Sequence, residues 1–139
     1  MAKGAVKRRV PDFRRAAFQH LEAARFLLES AGFRLQAMYL AGYAVECALK
    51  AMVVSRTPVK RQNQLLDTFR GSVSHDFEHL KARLARLKCG IPAEVVARMR
   101  PIATWSTDLR YAVGLREYDE ASAFVDAADA VVKWMERSL

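Results

Sequence analysis

The chain has 139 residues, 52% of them hydrophobic, and its 23 Lys and Arg against 15 Asp and Glu give a formal charge of +8. That length allows one domain with a sizeable core, and that apolar content excludes a disordered chain. Cys47 and Cys89 lie far apart and outside any CxxC, which signals neither a disulfide framework nor a cysteine metal site and fits a reducing cytoplasm.

Residues 1–10, MAKGAVKRRV, read as a disordered basic arm; with no apolar run after its charges it is not a secretory signal. Residues 11–139 read as a single helical domain. Pro11 suits the first turn of a helix running to about Ala31, with Phe13, Ala17, Leu21, Ala24, Leu28 and Ala31 on one apolar stripe and Arg14, Arg15, Gln19, Glu22, Arg25 and Glu29 outward. Gly32 closes it as a left-handed cap.

The next helix is the hub: AMYLAGYAVECALKAMVV, residues 37–54, has Glu46 and Lys50 as its only charges. Ala37, Ala41, Ala44, Ala48 and Ala51 draw a seam of methyl groups along which a neighbouring helix can approach closely. On the opposite side Tyr39, Tyr43, Glu46 and Lys50 share the same spacing. A carboxylate inside such a helix is costly to desolvate without a partner, and Lys50 stands one turn away. These two charges and the amphipathic neighbours argue against a membrane span.

From Ser55 to Ser74 the periodicity fails, and a long loop with at most one helical turn is expected. Ser74 would cap a third helix with Phe77, Leu80, Leu84 and Leu87 inward, ended by Gly90. Pro92 opens a short helix with Val95, Val96 and Met99 inward, which Pro101 stops or kinks. After a second irregular stretch Asp119 caps a last helix with Ala121, Phe124, Val125, Ala128, Val132 and Met135 in the core. No segment alternates with period two, so the class is all-α: an up-and-down bundle of four main helices and one short one.

The charge is unevenly spread. Residues 1–15 hold six Lys or Arg against Asp12, and residues 117–139 hold six Asp or Glu against Lys133 and Arg137. The net excess favours a phosphate-bearing partner, RNA or a nucleotide, through counterion release.

His20 takes a helix-surface or boundary role. His75, Glu78 and His79 spell HDFEH, a literal match to an inverted zinc-peptidase motif, but no third ligand is placed, and no metal or cofactor is expected. Arg70 and His75, separated by four residues across a loop and a helix start, can converge: the imidazole would deprotonate a ribose hydroxyl while the guanidinium holds the phosphate, as in metal-free RNA cleavage. The alternative is a surface arginine and a histidine capping the third helix. Trp105, Arg110 and Tyr111 lie in the second irregular stretch, where rings stack on a base and the arginine meets phosphate or Glu46, or where Trp105 simply plugs the bundle.

AMYLAGYAVECALKAMVV, preceded by AAFQHLEAARFLLESAGF and followed by SHDFEHLKARL and WSTDLRY, resembles the HEPN domain, a helical bundle often associated with nucleotides or RNA; the likeness covers about residues 13–135. The resemblance implies a homodimer. Many members are RNA-cleaving toxins encoded beside a minimal nucleotidyltransferase that serves as antitoxin, and others have lost catalysis and act as binding or regulatory modules. The family's catalytic arginine and histidine, a few residues apart and often followed by a tyrosine, normally lie on a later helix and meet their copy across the dimer. Arg70, His75 and Phe77 match the spacing but put phenylalanine for tyrosine and precede the third helix, while Arg110 and Tyr111 have no histidine after them. Position argues against an active ribonuclease, and no tyrosine stands at residue 77 to receive a nucleotidyl group. Glu46 matches the polar residue that the family carries in its second helix.

The expectation is therefore a cytoplasmic, homodimeric module that binds RNA, a nucleotide or a nucleotidyltransferase partner of a toxin-antitoxin type system. Tyr43, Glu46, Lys50, Trp105, Arg110 and Tyr111 would bind, with Arg70 and His75 as the catalytic candidates. The alternatives are a metal-independent ribonuclease toxin and a dimeric scaffold without a ligand. The dimer is argued from apolar excess, a domain this small having trouble hiding every face of its hub.

Overall fold

The computed structural model describes residues 9–70 and 75–139, and of Ala31 the backbone alone. Residues 1–8 of the expected arm, and the expected cap Ser74, lie outside the described residues. The described residues form six α-helices and no strand: α1 (Val10–Phe26), α2 (Arg34–Arg56), α3 (Val59–Asp67), α4 (Phe77–Arg86), α5 (Ala93–Arg98) and α6 (Tyr118–Ser138). A π-helical turn, Leu27–Ala31, extends α1 and closes at Gly32 in the left-handed region (φ 70°). Two 3-10 turns, Arg100–Ile102 and Thr107–Tyr111, punctuate the stretch between α5 and α6.

The hub lies at the centre because its seam lets it. All five alanines of the seam are fully buried, and α2 packs chiefly against α1 and α6, with α4 on a further side. Leu49, Met52, Val53 and Val54 are fully buried as well, and each such larger side chain contributes about 1.5–3 kcal/mol of burial. By length and composition α2 could cross a membrane, but 83% of its most apolar window is buried inside the chain. The neighbouring helices supply the apolar surroundings that lipid would otherwise provide.

The basic first helix and the acidic last one are stitched together. Arg14 meets Glu136 through two bonds, Nη2 to Oε1 at 2.6 Å and Nε to Oε2 at 2.8 Å, and Asp129 takes Arg25 and, at 2.9 Å, Lys133. These pairs are largely exposed and stabilise little, but they give Arg14 and Arg25 of α1 acidic partners on α6. Between Arg56 and Arg100, by contrast, stand ten Lys or Arg against four Asp or Glu. Part of the surplus sits on α3 and α4, and the rest on the ends and turns around them, at Arg56, Arg70, Lys88 and Arg100.

Several expectations need correction. The stretch after the hub contains α3, nine residues long, where one turn was expected; only Leu66 of it is buried, so its apolar signal is faint. Asp76 caps α4, its Oδ1 accepting from the backbone N–H groups of Glu78 at 2.9 Å and His79 at 3.5 Å. That helix ends at Arg86 rather than Gly90, with Lys88 in the left-handed region (φ 58°). The Cys89 N–H bonds Leu84 O and the Lys88 N–H bonds Ala85 O, which satisfies the last carbonyls without a glycine. Val96 is exposed, while Val95 and Met99 are buried. Glu117 occupies the N-cap position of α6 and Asp119 falls in its first turn.

The apolar surplus is not on the hub either. One chain covers both the alanine seam and the Glu46–Lys50 end of the polar face. The large apolar side chains left exposed include Phe26 and Phe33 at the α1–α2 turn and Val113 and Leu115 before α6.

Candidate functional site

Among the described residues Glu46 and Lys50 are the buried charges, at 4% and 6% exposure. One turn apart on α2, they form the ion pair that their spacing implies, Nζ to Oε2 at 2.9 Å. The other carboxylate oxygen meets His75, whose Nδ1 lies 2.6 Å from Oε1. An ionised carboxylate only accepts, so Nδ1 carries the hydrogen and Nε2 is the ring nitrogen left for other work. Local structure explains why His75 can reach: it stands in a 3-10 turn just before the Asp76 cap, outside α4, so the period of α4 does not set its direction.

An aromatic shell closes around this chain of charges. The Tyr43 ring lies 6.1 Å from His75, 5.7 Å from His20, 5.0 Å from Tyr39 and 5.3 Å from Trp105, centroid to centroid. Tyr39 Oη donates to Tyr43 Oη at 3.1 Å. Burial first, and the Glu46 charge with it, push the Tyr43 phenol far above its usual pKa, so it stays neutral. Trp105 is buried, stacked on Phe77 at 5.1 Å and 7°, and its Nε1–H donates to the Tyr39 carbonyl at 3.1 Å. The indole rests directly on Gly42, where an added Cβ would come within 1.9 Å of it.

Over this shell lies an open cleft of about 420 Å³. Phe77, Met99 and Trp105 supply its apolar wall; His75, Lys81 and Arg100 bring cationic or titratable groups, and Asp76, Glu78 and Asp108 bring acidic ones. Such a volume suits part of a nucleotide or a small organic ligand. Chemically, the site offers an imidazole oriented by a carboxylate, itself held by an ammonium: the arrangement of a positioned general base.

The structure thus gathers Tyr43, Glu46, Lys50, His75 and Trp105 in one neighbourhood. Trp105 forms a wall rather than a free stacking platform. Arg110 does not meet Glu46, whose two oxygens are taken by His75 and Lys50. Its guanidinium lies 4.8 Å from the Tyr111 ring centroid, and Tyr111 and then Tyr39 hold its pKa up. Tyr111 itself points outward, 72% exposed. Arg70 is exposed, and the residues that join it to His75 lie outside the described ones. His75 and His79 do not share a helical face as the zinc motif requires, because α4 starts at Phe77. Among the described residues no group of three or more His, Cys, Asp or Glu could hold a metal.

Sequence reasoning missed His20 as a member of the shell. Burial lowers its pKa against the opposing pull of Glu46. The signal was there, since Phe13, Ala17, His20 and Ala24 step by 4, 3 and 4 along one face. Gly42, Lys81 and Arg100 were missed too; only Gly42, a lone glycine among alanines inside a helix, carried a hint.

Compared with known proteins, the chain matches a family model, HEPN domain, over residues 10–138. No curated protein and no solved structure gives a significant match.

Proposed function

The chain belongs to the HEPN domain family, and on that premise we propose that it is an RNA- or nucleotide-binding module whose ligand enters the cleft beside His75. The supporting observation is the 2.6 Å contact of His75 Nδ1 with the buried Glu46, which fixes the ring at the edge of a cleft walled by Trp105 and Phe77. Arg100 at the same cleft supplies charge for a phosphate, while Lys81 beside it is paired with Glu78. Fluorescence anisotropy with a labelled single-stranded RNA at low ionic strength tests it: binding is expected to weaken with salt and with His75→Ala, and no binding by the folded wild-type protein leaves the scaffold reading instead.

The contact that carries this reading also favours a second, a metal-independent ribonuclease with His75 as base and Arg70 as phosphate clamp. Cleavage of labelled RNA in chelator that vanishes in His75→Ala would establish it; intact RNA would reject it. As part of a toxin-antitoxin type system the domain works in the cytoplasm beside a nucleotidyltransferase, and co-purification of the two from a shared operon checks this. A homodimer belongs to the proposal, with its contact at Phe26, Phe33, Val113 and Leu115; a monomer by light scattering at high concentration would exclude it.

A further inference from the structure

Between α3 and α4 runs a groove of about 380 Å³ whose lining contains three arginines and no acidic side chain. Arg61, Gln64 and Thr68 bring one rim from the α3 side, spaced so that they share a face; Arg83 and Arg86 bring the other from α4. Val53, Leu65 and Leu87 supply apolar lining. Arg83 is fixed by a neutral group: its Nη1 donates to Thr68 Oγ1 at 2.8 Å, and that hydroxyl donates to the Leu65 carbonyl at 2.6 Å.

Several cations elsewhere have a carboxylate partner. Arg14 has Glu136, Arg25 has Asp129, Lys50 has Glu46 and Lys81 has Glu78. In the groove the opposite happens: Arg83 is half-buried beside Arg86, and burial first, then the like charge of Arg86, press its pKa down. Guanidinium stays ionised all the same, so the repulsion remains until an anion enters. The groove also adjoins the site already described, for the Phe69 ring has Lys50 Nζ at 5.1 Å and the Arg83 guanidinium carbon at 6.0 Å.

We propose that the α3–α4 groove is a second site, which holds the phosphate backbone of a single-stranded RNA whose reacting or recognised portion lies in the cleft at His75. The inference rests on the RNA-binding reading and adds to it a path. Guanidinium forks meet phosphate oxygens in pairs, the Gln64 amide adds a neutral donor, and no carboxylate lines the groove. The groove therefore supplies affinity and positioning without base preference.

The test compares wild type, Arg61→Gln/Arg86→Gln, and a control of equal charge loss outside the groove, Arg15→Gln/Arg98→Gln, by anisotropy with one labelled RNA over a salt series. Two lost phosphate contacts should lower the salt slope by about 1.4 and weaken binding roughly tenfold at physiological salt. The control should change far less. Should the groove double variant lose its helical circular dichroism, Arg86→Glu alone serves in its place. Wild-type binding with equal losses in groove and control variants, or displacement of the RNA by polyglutamate as readily as by unlabelled RNA, overturns the groove and leaves the cleft reading standing. No RNA binding by wild type overturns both.

Discussion

Replacing Glu46 by methionine keeps about the same volume and leaves the Lys50 ammonium buried without its counter-charge. Lys50 is only 6% exposed, so water reaches it poorly, and the Phe69 ring 5.1 Å away offsets part of the loss and not most of it. Breaking a buried pair from one side costs about 3–5 kcal/mol, a large share of the ~5–15 kcal/mol that holds a domain folded. With a urea slope of about 2 kcal/mol/M, the midpoint should fall by about 2 M. Lys50→Met should cost a similar amount, since it strands the carboxylate with His75 alone. The double variant, an apolar pair in the same space, should recover most of the loss. Equilibrium urea denaturation followed by circular dichroism measures all four corners of the cycle. A single-variant cost below about 1 kcal/mol, or a double variant no better than the sum of its singles, would refute the claim that these charges depend on each other inside the hub.

Gly42→Ala should destabilise the fold by about 1–3 kcal/mol and shift tryptophan emission to the red, because the new methyl would stand 1.9 Å from the Trp105 indole; unchanged emission would contradict that seat. His20 is expected to shape the acid limb of stability. Burial puts its folded pKa below the usual 6.5, so the unfolded chain takes up the proton first as pH falls, and this group's effect is nil well above that value and destabilising below it. A His20→Gln variant should flatten the fall of melting temperature below about pH 6.5, and an unaltered slope would argue against a buried imidazole. Burial also pushes the Cys47 thiol up to about 12, so Ellman's reagent should find Cys89 fast and Cys47 slow in the folded protein. Two equally fast thiols would contradict the packing of α2.

What could be read from the residues was what depends on neighbours in sequence. The alanine seam and the Glu46–Lys50 spacing announce the hub and its ion pair, since both follow from one helical period. The last helix was legible for the same reason: its six expected core positions, Ala121 to Met135, are all buried. Helix α3 was not, because its nine residues bury only Leu66 and its remaining faces are polar. The cap of α4 slipped because serine and aspartate both accept from a helix start, and their position relative to Phe77 decides which one does. Long-range partners carry no such signal. Twenty-nine residues separate His75 from Glu46, and nothing near either one says that they meet; the same is true of Gly42 and Trp105.

RNA engagement at the cleft that His75 and Trp105 line, as proposed above, can be followed at those two side chains themselves. Titrating a single-stranded RNA into labelled protein while following the Trp105 indole N–H and the His75 ring protons by NMR tests it most directly. Saturable shifts at both, lost in Glu46→Met/Lys50→Met while the fold persists, are the predicted result; resonances that stay still while RNA binds elsewhere on the surface would contradict it.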